Sequence, residues 1–324
     1  MSAKSLGRSD YFSIFAYRKL IRRQTAGAPS RGLHGAKTIA DMTDSMKNVT
    51  CVVVTYNRLA LLKEALAALK AQTHPIRQII VVDNCSTDGT GAYLATLGGD
   101  EQISVVVMES NTGGAGGFAK GLGMAAKGRP DWIWLMDDDT VPRPDALERL
   151  MPYTGAGAVG FVCSRVVWTD GSPHMMNQPT AAADQSAAGA LPRPEGGPGP
   201  VIVTDASFVS LLVRGSLPFE IGLPYKEFFI WCDDSEYTRR ITGRGYLGVL
   251  APGSVALHKT KTNYISSLSV VSAADAWKVY YGERNESFLR RRQKGAARFF
   301  FSQLNAFRTH AHRIRKRGLP KDEE

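Results

Sequence analysis

The chain has 324 residues, 44% of them hydrophobic, enough to bury a substantial core as one large domain with appendages, which excludes a disordered protein. No apolar run reaches the ~18 to 20 residues that span a bilayer. The N-terminus lacks the apolar centre of a secretory signal, and Cys51, Cys85, Cys163 and Cys232 fit no zinc spacing, so they read as free thiols of a reducing, cytoplasmic compartment. The net charge of +10 sits at the ends: residues 1–46 carry eight Lys/Arg against three Asp/Glu and residues 284–321 carry twelve against one, whereas residues 47–283 carry 20 against 23. A mildly acidic catalytic body between basic arms predicts attachment to something anionic, a bilayer as readily as RNA or DNA.

Residues 1–46 form a basic N-terminal arm, expected to be flexible, with one short helix around Tyr11–Arg23; Met46, just ahead of the organised sequence, is an alternative start. Asn48–Thr55 is a β-branched run that suits a buried strand, followed by the exit loop Tyr56-Asn57-Arg58 and a helix over Leu59–Ala71. Gln78–Val82 is the second strand, and Asp83–Gly89 has the turn chemistry that opens a helix over Thr90–Leu97. Ile103–Met108 is the third strand, Asn111–Gly117 a glycine-rich loop before the next helix, and Trp132–Met136 the fourth strand. Strand and helix alternate, which predicts an α/β domain over 47–283 with a parallel sheet and ligands outside the carboxyl ends of its strands. Residues 170–200, rich in Gly, Pro, Ala and Ser, read as a long inserted loop. Val201–Val213 supplies one or two strands, Tyr225–Arg244 runs into a helix ending at Gly243 or Gly245, Tyr246–Ala251 is a short strand, and Val255–Lys259 brings in His258. From Asp275 the pattern is helical, so residues 284–324 form a basic helical C-terminal extension.

Two acidic clusters carry the chemistry. The apolar run Trp132–Met136 ends in Asp137, Asp138 and Asp139; if these stay extended, Asp137 and Asp139 face one side and offer oxygen ligands to Mg²⁺ or Mn²⁺. His258 is a candidate third ligand, and an imidazole would favour Mn²⁺ relative to Mg²⁺. About a hundred residues later Asp233-Asp234 opens a helix. Transfer from a diphosphate-activated donor needs a cation for the departing phosphates and a carboxylate to take a proton from the attacking hydroxyl, and the two clusters offer both.

The motifs Val52-Val53-Val54-Thr55-Tyr56-Asn57-Arg58, Val82-Asp83-Asn84-x-Ser86-Thr87-Asp88-Gly89, Asn111-x-Gly113-Gly114 and Trp134-Leu135-Met136-Asp137-Asp138-Asp139 resemble, in this order, the nucleotide-sugar half of an inverting family 2 glycosyltransferase. The resemblance covers about residues 48–290 and implies the GT-A fold, a Rossmann-like mixed sheet flanked by helices. Asn111–Phe118, the Asp triplet and Trp231-x-Asp233-Asp234-x-Glu236-Tyr237 are most similar to galactofuranosyltransferases, with dTDP-rhamnose-dependent rhamnosyltransferases as near relatives. By that resemblance Thr55, Asn57 and Arg58 border the uridine pocket, Asp83 bonds the uracil, and Asn111, Gly113 and Gly114 lie against the nucleotide sugar. Asp137 and Asp139 meet the metal and diphosphate, Asp138 belongs with the donor-binding residues, and His258 completes the metal site. Asp234 is the general base and Asp233 orients the acceptor, with Trp231 and Glu236 on the acceptor side. The partners so implied are a UDP-sugar donor and a polyprenyl-linked glycan acceptor at the inner face of the cell membrane; a second copy of the chain is a further candidate partner.

Two rival readings come from other classes. Gly114–Ala119 fits the G-x-G-x-x-A pattern of a Rossmann oxidoreductase, but it follows the third strand and leaves the Asp triplet without a purpose. Arg290, Arg291, Arg292, Lys294 and Arg298 beside Phe299–Phe301 suit an interfacial helix on anionic lipid. The same mixture suits RNA, although no nucleic acid is expected beside a sugar-transfer site.

Overall fold

A computed structural model describes residues 47–194, 197–263, 276–293 and 296–317. The N-terminal arm with its Tyr11–Arg23 helix, Lys294 and the side chain of Arg298 lie outside the described residues. The first half follows the hydrophobic pattern closely: β1 (Val49–Thr55), α1 (Leu59–Lys70), β2 (Gln78–Asp83), α2 (Thr90–Thr96), β3 (Ile103–Val107), α3 (Gly113–Lys127) and β4 (Trp132–Asp137). These four strands are parallel, in the order β3-β2-β1-β4. β1 feeds two cores by alternation. Val49, Cys51 and Val53 pack with Leu62, Leu66 and Leu69 of α1, whereas Val52 and Val54 pack with Phe118 and Leu122 of α3.

Past β4 the sheet becomes mixed. β5 (Thr140–Pro142), α4 (Ala146–Leu150), β6 (Val159–Val167), β7 (Thr180–Ala181), β8 (Val201–Asp205), β9 (Leu211–Arg214), α5 (Leu217–Ile221), α6 (Asp233–Gly243) and β10 (Leu247–His258) complete the domain. The full order is β3-β2-β1-β4-β9-β6-β10-β8-β7, with β5 on β10. β9 runs antiparallel to both β4 and β6, and β8 antiparallel to β10. A wholly parallel sheet therefore does not continue past β4: β8 and β9 run against β4, β6 and β10.

Three expectations change in detail. The glycine run is not a loop but the first turns of α3, six of whose 15 residues are glycine. A Cβ added at Gly117 would lie 2.5 Å from Val54 Cγ1, so the run lets α3 lie directly on β1. That contact offsets a helix-propensity cost of about 1 kcal/mol per glycine relative to alanine. β10 is one 12-residue strand, with a register shift between Ala251 and Val255 where two separate pieces were expected. The inserted 170–200 stretch holds β7 and short 3₁₀ turns at Met175–Asn177 and Ser186–Ala190. At the C-terminus α7 (Ala276–Gln293) and α8 (Ala296–Arg317) form the helical extension, and no described helix is long and apolar enough to cross a membrane.

Candidate active site

β4 stops at Asp137 and the chain turns through Asp138 and Asp139 before β5, so the triplet is not extended. The turn nevertheless keeps Asp137 and Asp139 together. One ligand atom from each, with a ring nitrogen of His258, all lie within 4.8 Å of one another. β10 delivers His258 by pairing with β5, where His258 faces Thr140. His258 Nε2 is 3.0 Å from Asp139 Oδ1, and Arg58 Nη1 donates to Asp139 Oδ2 at 2.5 Å. Burial alone would push Asp139 up and His258 down; their mutual hydrogen bond and charge outweigh it, holding Asp139 below the usual carboxylate range and His258 above the usual imidazole range. Burial, with Asp139 alongside, raises Asp137 to about 7. Two crowded carboxylates and an imidazole are the donor chemistry of a divalent-cation site, and a cation would relieve the repulsion that raises Asp137.

Asp138 turns away. Its Oδ2 accepts from Thr55 Oγ1 (2.8 Å) and the Tyr56 N–H (3.3 Å), and its Oδ1 accepts from Arg58 (3.3 Å). It therefore anchors the β1 exit loop and presents Arg58, a role that uses up Thr55 as well. Asn57, at φ 53°, accepts from the Thr87 N–H (2.6 Å), and Asp83 accepts from the Ser86 N–H (3.0 Å), which ties the β1 and β2 exits together.

The second acidic cluster is held by strained backbone. Phe229 has φ 64° and ψ −62°, and the Ile230 N–H bonds the Phe228 carbonyl at 2.7 Å, which makes Phe229 the centre of a γ-turn of the rare, strained hand. Trp231 (φ 64°) and Cys232 (φ 68°) are also left-handed. The segment is clamped from α7: Asn285 Nδ2 donates to the carbonyls of Phe228 (2.9 Å), Ile230 (3.1 Å) and Trp231 (2.9 Å). Arg284 donates to the Glu227 and Phe228 carbonyls, and the Ala115 N–H of α3 bonds the Phe229 carbonyl at 3.1 Å. Gly113, at φ 71°, is required because a Cβ there would fall 2.0 Å from the Phe229 oxygen. α6 then opens with Asp233 and Asp234. Burial and the neighbouring Asp234 raise Asp233 well above the carboxylate range. Burial raises Asp234 to about 6, opposed by the Ser235 N–H that bonds its Oδ1 at 2.6 Å.

Both clusters open on one cavity of about 480 Å³. Of the residues singled out in the sequence, Arg58, Gly114, Asp137, Asp139, Trp231, Asp233, Asp234 and His258 line it. Thr55, Asn57, Asp83, Asn111, Gly113, Asp138 and Glu236 do not. Asn111 accepts from the Gly113 N–H at 2.8 Å, and the space beside Gly113 is filled by Phe229. Glu236 is taken by Arg240, with contacts of 2.6 and 3.1 Å within α6. The sequence reading missed Asn177, whose Oδ1 is 2.7 Å from His258 Nδ1, and Asp205, which lines the cavity and pairs with Arg239 at 3.1 Å. It also missed Asn84, which holds the Thr112 N–H (2.9 Å) and the Gly113 carbonyl (2.8 Å) and so fixes the start of α3. The adjacency of Asn84 to Asp83 was the available signal; Asn177 and Asp205 had none.

Residues 50–201 match the family model "Glycosyl transferase family 2". This stretch is a family 2 glycosyltransferase domain. Among curated relatives, the chain is 34% identical over 216 residues to galactofuranosyltransferase GlfT1 of Mycobacterium tuberculosis, covering 63% of the chain and 66% of the relative. It is 35% identical over 113 residues to the succinoglycan biosynthesis protein ExoO of Rhizobium meliloti, covering 35% of the chain and 31% of that relative. The chain thus spans less than two thirds of the length of either. A solved structure of GalNAc-T7 with UDP, GalNAc and Mn²⁺ superposes with a TM-score of 0.53 at 13% identity, covering 81% of this chain and 55% of that one. That likeness establishes the GT-A fold.

Proposed function

We propose that the protein is an inverting, nucleotide-sugar-dependent glycosyltransferase that moves galactofuranose from UDP-galactofuranose to a hydroxyl of a lipid-linked or cell-envelope glycan. The observation that carries this reading is the convergence of Asp137, Asp139 and His258 with Asp233 and Asp234 on one cavity. The donor sugar is supported by the GlfT1 match, which runs over 216 residues. Asp137, Asp139 and His258 would hold Mn²⁺ or Mg²⁺, and a bound divalent cation supplies charge neutralisation for a leaving diphosphate.

Asp234 is the base. Of the two adjacent carboxylates it is the one burial raises only to about 6, below neutral pH, whereas burial and Asp234 itself push Asp233 well above the carboxylate range. The acceptor oxygen forms its bond to the anomeric carbon as the bond to the UDP oxygen breaks, the hydroxyl proton passes to Asp234, and UDP leaves with the bonding electrons. Asp233 orients the acceptor by a hydrogen bond, and the Trp231 ring offers an apolar platform beside both. Arg58, with part of its surface exposed, lies at the same mouth and suits a phosphate oxygen.

In this reading the acceptor lies at an anionic bilayer surface. On α8, Phe300, Phe301 and Phe307 are 64 to 72% exposed, and Arg308 and Arg315 are exposed on the same helix, a composition that suits the headgroup boundary. Liposome co-sedimentation with and without anionic lipid checks this placement.

The decisive test is Asp234→Asn assayed with UDP-galactofuranose and a polyprenyl-linked glycan. Transfer is expected to fall by about 10³-fold or more with UDP affinity unchanged. Parallel loss of UDP binding would remove Asp234 from the role of base, and turnover of dTDP-rhamnose in place of UDP-galactofuranose would reassign the donor.

A further inference from the structure

The inserted stretch that carried no signal in the sequence makes the closest contact to the histidine of the proposed metal site. Its 3₁₀ turn at Met175–Asn177 is built from within, by the Asn177 N–H on the His174 carbonyl (3.1 Å) and the Gln178 side-chain amide on the same carbonyl (2.9 Å). It is also pinned to the chain beyond β10, by Asn263 Oδ1 accepting from the Met175 N–H (2.8 Å) and by His174 Nε2 against Thr260 Oγ1 (2.8 Å). The His174 ring is fully buried and lies 4.5 Å from the His258 ring, so it backs the imidazole without bonding it. Asn177, 5% exposed, directs its Nδ2 at Ser207 Oγ (2.9 Å), which leaves Oδ1 facing His258 Nδ1 at 2.7 Å.

A carbonyl oxygen only accepts, so the nitrogen facing it carries hydrogen. A neutral imidazole has one protonated and one bare nitrogen. With the hydrogen fixed on Nδ1 by Asn177, the nitrogen left for a cation is Nε2, which without one carries the proton that bonds Asp139 Oδ1 3.0 Å away. An imidazole that binds a metal commonly donates its other N–H to an oxygen, and that oxygen sets ring orientation and tautomer. We infer that Asn177 is a positioning residue for the cation site: it holds His258 in the Nδ1–H form with Nε2 aimed between Asp137 and Asp139. The inference rests on the reading of His258 as a metal ligand.

The test compares Asn177→Leu, close in volume but without an acceptor, with Asn177→Asp, which keeps one. Mn²⁺ affinity of the full chain is read by electron paramagnetic resonance, with His258→Ala as the reference and thermal melting as a check of folding. Asn177→Leu is expected to weaken Mn²⁺ binding about 10- to 100-fold, and Asn177→Asp to restore it to within a few fold of wild type. Wild-type affinity in Asn177→Leu, with affinity lost in His258→Ala, overturns the role of Asn177 alone. Wild-type affinity in His258→Ala overturns the ligand reading and the inference with it. Should Asn177→Leu fail to fold, long-range ¹⁵N–¹H spectra of His258 in the Mg²⁺-loaded wild-type chain give the answer directly. Hydrogen on Nδ1 is expected, and hydrogen on Nε2 contradicts the inference.

Discussion

Asp137 reaches the cavity on six residues of regular strand paired along their length to β1, whereas Asp233 and Asp234 follow a segment in which Phe229, Trp231 and Cys232 all adopt left-handed backbone. The first cluster is held by the sheet ladder, in which each contact supports its neighbours. The second is held against its own conformational preference by a few side chains, chiefly Asn285 and Arg284 on α7. Strain of this kind costs on the order of 1–3 kcal/mol per residue and persists only where the surroundings over-determine it. The two carboxylate groups should therefore fail in different ways. Damage to the metal edge should be chemical and local, and damage to the acceptor edge should come from a distant helix.

The largest effect is expected at the metal edge. Asp139→Ala removes a proposed metal ligand and the partner of both His258 and Arg58, and should reduce Mn²⁺-supported turnover by about 10³-fold or more. A small loss in steady-state rate would mean that the cation sits elsewhere. Next comes Asn285→Ala, which removes the donor to the Ile230 and Trp231 carbonyls at about 1–3 kcal/mol for each group left unsatisfied, while the Phe228 carbonyl keeps the Ile230 N–H and Arg284. Here kcat is expected to drop about 10- to 100-fold with donor KM nearly constant, because the acceptor edge loosens and the metal edge does not. If KM for the donor rises by the same factor, the two edges are coupled and the contrast between them is lost.

The pH dependence sharpens the same contrast. Asp234 must be ionised to accept a proton, and its pKa is raised to about 6, so kcat/KM should fall about tenfold per pH unit below that value and level off above it. Asp234→Asn should lose this limb of the profile; a limb that survives in the variant belongs to another group. The smallest effect on turnover is expected from Gly117→Ala, whose added methyl meets Val54 at 2.5 Å. Overpacking α3 on β1 should cost about 1–3 kcal/mol of stability, read by denaturant unfolding, with kcat largely preserved.

The same division governs what could be read from the sequence. β1 to β4 and their helices stand out because strand alternation and helical spacing are local, and Asp137 follows from the end of an apolar run. Asp138 turns away from Asp137 and Asp139, as their alternation predicts, but its partners Thr55 and Tyr56 are set by a two-residue turn after β4 that is invisible to periodicity. The second half is built by contacts between distant residues: Asn177 with His258 across 81 positions, and Asn285 with Phe228 across 57. Neither pair leaves a mark in composition or spacing. Glu236 matched a motif, yet its carboxylate is taken by Arg240 one helical turn on, a competition that only the folded helix reveals. Gly113, set against the nucleotide sugar by resemblance, is met by Phe229, and Gly117 by Val54, close approaches that only the folded chain reveals.

The most direct test of the central claim is calorimetric titration of the full chain with UDP in Mn²⁺, then after chelation, with dTDP and NAD in parallel. The account predicts UDP binding that weakens about tenfold or more when the cation is removed, and no binding of NAD. NAD binding without UDP binding would contradict it, since the glycines of α3 would then serve a dinucleotide and the carboxylates at the ends of β4 and α6 would have no leaving group to serve.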